Sequence, residues 1–71
     1  MTIGEALKKE REDLGLTQTE MAAGVISTAH YSKIERDKHD ISAYDLFEIL
    51  TKNNISLLDF IKEIENTYFY I

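Results

Sequence analysis

The chain repeats one short pattern of hydrophobic and polar positions five times. In each copy an apolar residue is followed by Ser or Thr, two further residues, usually an acid, and then another apolar residue. The pattern is typical of a helix N-terminus, because the hydroxyl caps backbone N–H groups and the two apolar side chains pack over the first turn. The copies begin at Met1, Leu16, Ile26, Ile41 and Ile55.

These copies predict five helices, at about residues 3–14, 18–24, 28–36, 43–52 and 57–68. Gly15 and Gly24 follow the first two helices, where a left-handed C-terminal cap favours glycine. No strand-like alternation competes with the helical pattern, and the chain contains no proline and no linker-like tract. The sequence therefore predicts one all-α domain over residues 1–71, built as a five-helix bundle.

The second and third predicted helices are short and closely spaced. Because so tight a turn cannot support an antiparallel hairpin, the two helices are expected to cross steeply, as in a helix-turn-helix unit at about residues 17–36. On the third helix Tyr31 and Ile34 share one face, and the opposite face is polar and basic. Such a face can enter the major groove of DNA, although a solvated face has the same composition. The predicted base contacts are Thr28, Ala29, Ser32 and Lys33.

Several positions around this helix predict contacts with the DNA backbone. Gln18 starts the second helix, where free N–H groups and the helix dipole favour a phosphate. Arg36 and Lys38 follow the third helix within a mildly basic stretch. The predicted phosphate contacts are Thr17, Gln18, Arg36, Lys38 and His39.

Composition qualifies this picture. Eight Lys or Arg stand against thirteen Asp or Glu, a net charge of −5, so an isolated domain is expected to bind DNA weakly and with strong salt dependence. The chain has no cysteine, no apolar run long enough for a membrane span, and two histidines without further metal ligands nearby. We expect no enzyme activity, metal, cofactor, small-molecule site or membrane contact, and a cytoplasmic location.

A combination of motifs makes the chain resemble a known family. The motifs are Ile3-Gly4-Glu5, Leu7, Arg11, Gly15-Leu16-Thr17-Gln18, Glu20-Met21-Ala22 and Ser32-Lys33-Ile34-Glu35-Arg36. Over about residues 3–60 they are similar to the XRE-type helix-turn-helix of Cro, phage repressors and many bacterial regulators. The resemblance implies a lambda-repressor-like fold and transcription regulation through double-stranded DNA. It also implies that Gln18 contacts a phosphate while Thr28, Ala29 and Lys33 face base edges.

Two charged residues are expected to point inward. Helical geometry places Glu35 near Tyr31 on the core side of the third helix, and Arg11 borders the apolar stripe of the first. The two can form a bidentate pair or can reach water separately. The resemblance favours a structural salt bridge, which is buried in that family. Glu10 stands where the family usually has an apolar residue, and a reach to the rim is the only explanation its position offers.

The turn from Thr17 to Ser27 is one residue shorter than is usual for XRE-type domains. With Ile26-Ser27 and the run at 31–37, it most resembles the Rgg/MutR regulators of Gram-positive bacteria. That resemblance implies a homodimer and a C-terminal domain that binds peptide pheromones. Asp37 replaces the glycine that commonly follows the recognition helix, so a left-handed or strained backbone is expected there.

The apolar C-terminal stretch at 61–71 predicts dimerisation or a link to a further domain. The stripe of Phe60, Ile64, Tyr68 and Ile71 is rich for so small a surface, although it can instead cover the domain's own core. The negative charge of the chain favours an alternative function, that of an acidic protein-interaction module, such as an antirepressor or an antitoxin, on the same fold.

Overall fold

A computed structural model describes residues 1–68, except for the side chains of Asn66 and Tyr68. Its described residues form five helices and no strand: α1 (Ile3–Asp13), α2 (Gln18–Ala22), α3 (Thr28–Glu35), α4 (Ala43–Lys52) and α5 (Leu57–Tyr68). The predicted all-α, five-helix fold is confirmed. The second helix ends earlier than expected, because the backbone of Ala23 leaves the helical region (ψ 130°) and Gly24 is left-handed (φ 82°).

A hydroxyl group caps the N-terminus of every described helix. Thr2 and Thr17 form complete capping boxes with Glu5 and Glu20. In the other three helices a serine accepts a hydrogen bond from the N–H of the third helical residue; these serines are Ser27, Ser42 and Ser56. The repeated pattern thus specifies where each helix begins.

Three helices end in the same left-handed turn. After α1, α3 and α4 the chain turns at Gly15, Asp37 and Asn54, with φ angles of 70°, 58° and 57°. Backbone hydrogen bonds close each turn; after α3, the N–H of Lys38 donates to the carbonyl of Lys33 at 2.9 Å. This Schellman arrangement satisfies carbonyls that the helix end leaves free. The left-handed backbone expected at Asp37 is present.

The core forms where α1 packs against α3 and α5 while α2 packs against α3. Helices this short are unstable alone, so this packing holds them in place. The buried apolar side chains are Ala6, Leu7, Met21, Ala22, Tyr31, Ile34, Ile49, Leu50, Phe60 and Ile64.

The burial of α5 corrects one prediction. Phe60 is 0% exposed and Ile64 is 6% exposed, because α5 packs against α1. These two side chains belong to the domain's own core and are not available to an interface. The side chain of Tyr68 and the whole of Ile71 lie outside the described residues.

The start of α1 lies very close to the end of α3. At Gly4 an added Cβ would overlap the carbonyl oxygen of Ile34 and lie 2.7 Å from Asp37 Oδ1. The hydroxyl of Thr2 donates to Asp37 Oδ2 at 2.8 Å. The absence of a side chain at Gly4 therefore permits this contact between the two helices.

The beginning of the chain also contacts the last helix. The ammonium group of Met1 donates to Thr67 Oγ1 at 2.9 Å. Segments that are 66 residues apart in sequence are thus neighbours in space.

Candidate DNA interface

α3 has a buried inner face and a polar outer face. Tyr31 is fully buried, and Ile34 and Glu35 are nearly so. Ser32, one of the predicted base contacts, is only partly exposed. The exposed residues of the outer face and the helix end are Thr28, Ala29, His30, Lys33 and Arg36.

A hydroxyl pair links α2 to this outer face. Thr28 Oγ1 donates to Thr19 Oγ1 at 3.1 Å, and both residues are exposed. The sequence did not single out Thr19, because a polar residue inside a short helix carries no signal until α3 packs beside it. The pair adds a second helix to the candidate surface.

The N-terminus of α2 is held by the two residues predicted to contact phosphate there. The hydroxyl of Thr17 accepts from the N–H of Glu20 at 3.1 Å. The amide nitrogen of Gln18 donates inward to Glu35 Oε1 at 3.0 Å. The side-chain donor of Gln18 is therefore engaged within the domain, while its backbone lies in the first turn of α2.

The cationic residues that were predicted to contact phosphates lie at and beyond the end of α3. Arg36, Lys38 and His39 are all exposed, and Arg36 Nε makes a long hydrogen bond, 3.4 Å, to the carbonyl of Ser32. The ring of His39 meets the ring of His30 edge to face, with centroids 5.7 Å apart. The sequence assigned no role in DNA binding to His30, and its contact with His39 places it beside this group.

Behind the surface, Arg11 and Glu35 join α1 to α3. Arg11 Nε lies 2.7 Å from Glu35 Oε2, and Arg11 Nη2 lies 3.1 Å from Glu35 Oε1. Arg11 Nη1 also donates to the carbonyl of Leu16, just before α2, at 3.0 Å. The side chains of Arg11 and Glu35 are 15% and 3% exposed, so the pair is largely shielded from water. One guanidinium thus connects the first helix to both parts of the helix-turn-helix unit.

The electrostatics of this junction keep both charges in place. Burial would raise the pKa of Glu35, but hydrogen bonds from Arg11 and Gln18 outweigh it and hold that pKa below its usual value. The same pair raises the pKa of Arg11. Burial raises the pKa of the neighbouring Tyr31 well above its usual value, so its hydroxyl stays protonated. The pair therefore remains ionised at neutral pH.

The part of the chain that the structure describes contains neither of two other kinds of site, a membrane span or a metal-binding cluster. None of its helices has the length and apolar character needed to cross a membrane. Within the same residues, no group of three or more His, Asp or Glu side chains is placed to hold a metal ion.

Comparison with known proteins places the fold in a family. The family model described as "Helix-turn-helix" (HTH_3) matches residues 7–60, from the middle of α1 to the first turn of α5. No curated protein and no solved structure matches the chain. The matched family has a lambda-repressor-like helical fold and consists of DNA-binding domains rather than enzymes. Because the match covers most of the chain, this protein belongs to the XRE-type helix-turn-helix family of transcription-regulator DNA-binding domains.

Proposed function

We propose that this domain reads specific DNA sequences with α3 in the major groove, as part of a transcription regulator in the cytoplasm. One observation carries the proposal. Exposed Lys33 and the small residue Ala29 occupy the outer side of α3, opposite the buried Tyr31, and exposed Thr28 stands at its flank. The major groove, about 12 Å wide, admits a helix with such a face.

The base contacts are divided among side chains of different chemistry. Lys33 donates to guanine O6 and N7, and Ala29 packs against a thymine methyl group. Thr28 reaches a base edge from the hydroxyl pair with Thr19. Ser32, which is only partly exposed, makes the least extensive contact of the four.

The phosphate contacts flank α3 on both sides. On one side, Thr17 and Gln18 bring the N-terminus of α2 to a phosphate, which the backbone N–H of Gln18 meets; the N–H of Thr17 donates to Glu20 Oε1 at 2.9 Å. Arg36, Lys38 and His39 meet the backbone beyond α3. With so few cations on a chain of net charge −5, binding is expected to be weak, and each phosphate contact adds about one to the salt slope.

The regulator binds DNA as a homodimer, with two copies of α3 in half-sites about 34–36 Å apart. The second copy is the occupant best suited to the exposed apolar patch on α4 and the start of α5. In this patch Tyr44, Phe47, Leu57 and Leu58 are 72%, 49%, 42% and 64% exposed. A cleft of 380 Å³ opens beside Phe47 and Leu57, so the patch offers both projecting and receiving surfaces, as a two-fold interface requires. Sedimentation of Leu58→Glu, compared with Leu14→Glu elsewhere on the surface, tests this: only Leu58→Glu should give a monomer.

The shortened turn between α2 and α3 supports a finer assignment. By resemblance to Rgg/MutR regulators, the domain is the DNA-binding part of a protein that responds to peptide pheromones. The test is whether the gene encodes a helical domain after Ile71 and whether short peptides change the DNA affinity of that longer protein.

The deciding experiment separates base contacts from phosphate contacts. DNA affinity is titrated against salt for a selected operator and a scrambled duplex, with Lys62→Ala on α5 as a control of equal charge change. Arg36→Ala or Lys38→Ala should weaken both duplexes alike and lower the salt slope by about one. Lys33→Ala should instead reduce discrimination at one base pair by about 1–3 kcal/mol. If none of these three variants changes DNA binding, α3 is not the recognition helix.

The net charge of −5 favours one alternative function, an acidic protein-interaction module such as an antirepressor or antitoxin. That function predicts no binding to duplex DNA even at low salt, where electrostatic binding is strongest. An electrophoretic mobility shift with random duplex at low and high salt distinguishes the two functions.

A further inference from the structure

The carbonyl groups at the C-terminus of α2 have no hydrogen-bond donors within the helix itself. The helix has five residues and no basic residue in its last turn. The last carbonyls of a helix have no intrahelical donor, and a helix of this length is little more than one turn. Four consecutive carbonyls, from Glu20 to Ala23, therefore need donors from elsewhere if they are not left to water.

Two adjacent residues at the end of α4 supply most of these donors. Lys52 Nζ lies 2.8 Å from the carbonyl oxygen of Glu20 and 2.8 Å from that of Ala23. Asn53 Nδ2 donates to the carbonyl of Met21 at 3.2 Å and to that of Ile49 at 2.8 Å.

The remaining carbonyl closes the turn toward α3. The oxygen of Ala22 accepts from the backbone N–H groups of Val25 and Ile26, at 3.0 and 3.2 Å. All four carbonyls are thus satisfied, and Lys52 and Asn53 supply the donors for three of them. The ammonium group also places a positive charge at the negative end of the α2 dipole.

From this geometry we infer that Lys52 and Asn53 are positioning residues for DNA recognition: they fix the end of α2 and thereby the direction in which α3 leaves the turn. Lys52 acts through the α2 carbonyls and not through a phosphate. The inference rests on the proposed function, since it concerns the aim of the recognition helix.

The test replaces Lys52 by Met, which keeps most of the stem and removes the donors. Lys62→Met on α5 is the matched control, because it makes the same charge change at an exposed position. Amide hydrogen exchange at Val25 and Ile26 should become about three- to tenfold faster in Lys52→Met alone, as the loss of ordinary hydrogen bonds implies. The ratio of operator to scrambled-duplex affinity should fall several-fold, with the salt slope unchanged.

Each contrary result has a distinct meaning. Unchanged exchange overturns the inference and leaves the proposed function intact. A salt slope lower by about one overturns it as well, because Lys52 would then be a phosphate contact. Faster exchange with unchanged discrimination reduces Lys52 to a structural residue and also overturns it. Failure of the parent domain to bind any duplex overturns the proposed function and the DNA part of this inference together.

A measurement on the parent protein guards against a variant that fails to fold. If the ammonium of Lys52 is held between two carbonyls, its protons exchange with water more slowly than those of Lys62 in NMR spectra at low temperature. Equal exchange rates for the two lysines would overturn the inference without any substitution.

Discussion

Two neighbouring residues of α1 meet glutamates on different helices, with opposite electrostatic outcomes. Arg11 binds Glu35 of α3 through two hydrogen bonds of 2.7 and 3.1 Å. Glu10 faces Glu63 of α5, so like charges meet at that junction. Glu63 Oε2 is buried and has no hydrogen-bond partner in the described part of the chain, while Lys9 lies 3.6 Å from the other oxygen.

The pKa values of the glutamates at the two junctions therefore shift in opposite directions. Hydrogen bonds from Arg11 keep the pKa of Glu35 low in spite of burial. Burial and the neighbouring Glu63 raise the pKa of Glu10 to about 7, and Lys9 offsets only part of this while Asp13 adds to it. A proton on Glu10 would give the buried oxygen of Glu63 the donor that it lacks. The difference teaches that α1 is joined to α3 by a pair that stays charged, and to α5 by a contact that weakens when Glu10 ionises.

Stability consequently depends on pH in two opposite directions. Since the folded pKa of Glu35 is lowered, its contribution is present above the unfolded pKa and is lost as the pH falls through the folded value. Since the folded pKa of Glu10 is raised, its contribution is full below the unfolded value of 4.5 and is lost as the pH rises through about 7. We expect the domain to be most stable in mildly acid solution, between these two transitions.

The largest expected effect comes from breaking the charged junction. Glu35→Gln leaves the shielded Arg11 without its counter-charge, and breaking one partner of a buried pair typically costs about 3–5 kcal/mol. That is a large share of the total stability of a small domain, which is about 5–15 kcal/mol. The measurement is urea unfolding at pH 7, with Glu65→Gln on the exposed side of α5 as a control. If both variants unfold at the same urea concentration, the Arg11–Glu35 pair does not stabilise the fold.

A smaller effect is expected from Gly4→Ala, which alters the same junction without changing any charge. The new Cβ would meet the Ile34 carbonyl and Asp37, so the helices must separate, at a typical cost of about 1–3 kcal/mol for overpacking. At an ordinary exposed helix position the same change would instead stabilise by up to about 1 kcal/mol. Thermal unfolding of this variant beside Lys8→Ala gives the sign. A gain in stability would mean that the ends of α1 and α3 are not in close contact in solution.

The smallest effect, and one of opposite sign, is expected from removing the like-charge contact. Glu10→Gln should stabilise the domain by about 1–2 kcal/mol at pH 8, a value reduced to allow for the partial exposure of Glu10. It should change little at pH 5, where Glu10 already carries a proton. Urea unfolding from pH 5 to 8 measures both values, and Glu12→Gln, on the exposed face of α1, is the control. An equal effect of Glu10→Gln at both pH values would contradict the raised pKa.

Local features of the fold could be predicted because their determinants are local. Each helix start is specified by a hydroxyl and its neighbours within five residues, which a single sequence reveals. The juxtaposition of Arg11 and Glu35 followed from the helical face that each occupies and from a family resemblance. The left-handed turn at Asp37 was expected because helices commonly end in this conformation.

Features that depend on packing between distant helices could not be predicted in the same way. The contact of Glu10 with Glu63 and the contacts of Lys52 with α2 join residues about 30 to 50 positions apart, and no periodic pattern relates them. The apolar stripe of α5 was recognised, but its pattern is the same whether Phe60 and Ile64 face the core or a partner. Only the packing of α5 against α1 distinguishes these two cases.

Because Met1 contacts Thr67, the order of the helices along the chain can be changed without changing their arrangement in space. A circular permutant that links Thr67 to Met1 by a short segment and opens the chain between His39 and Asp40, both exposed, should keep the packing of the described helices. In the natural order α2 leaves the ribosome before Lys52, so its end lacks two donors until α4 is made. In the permutant α4 would emerge first, so Lys52 and Asn53 would already be present when the helix-turn-helix unit forms.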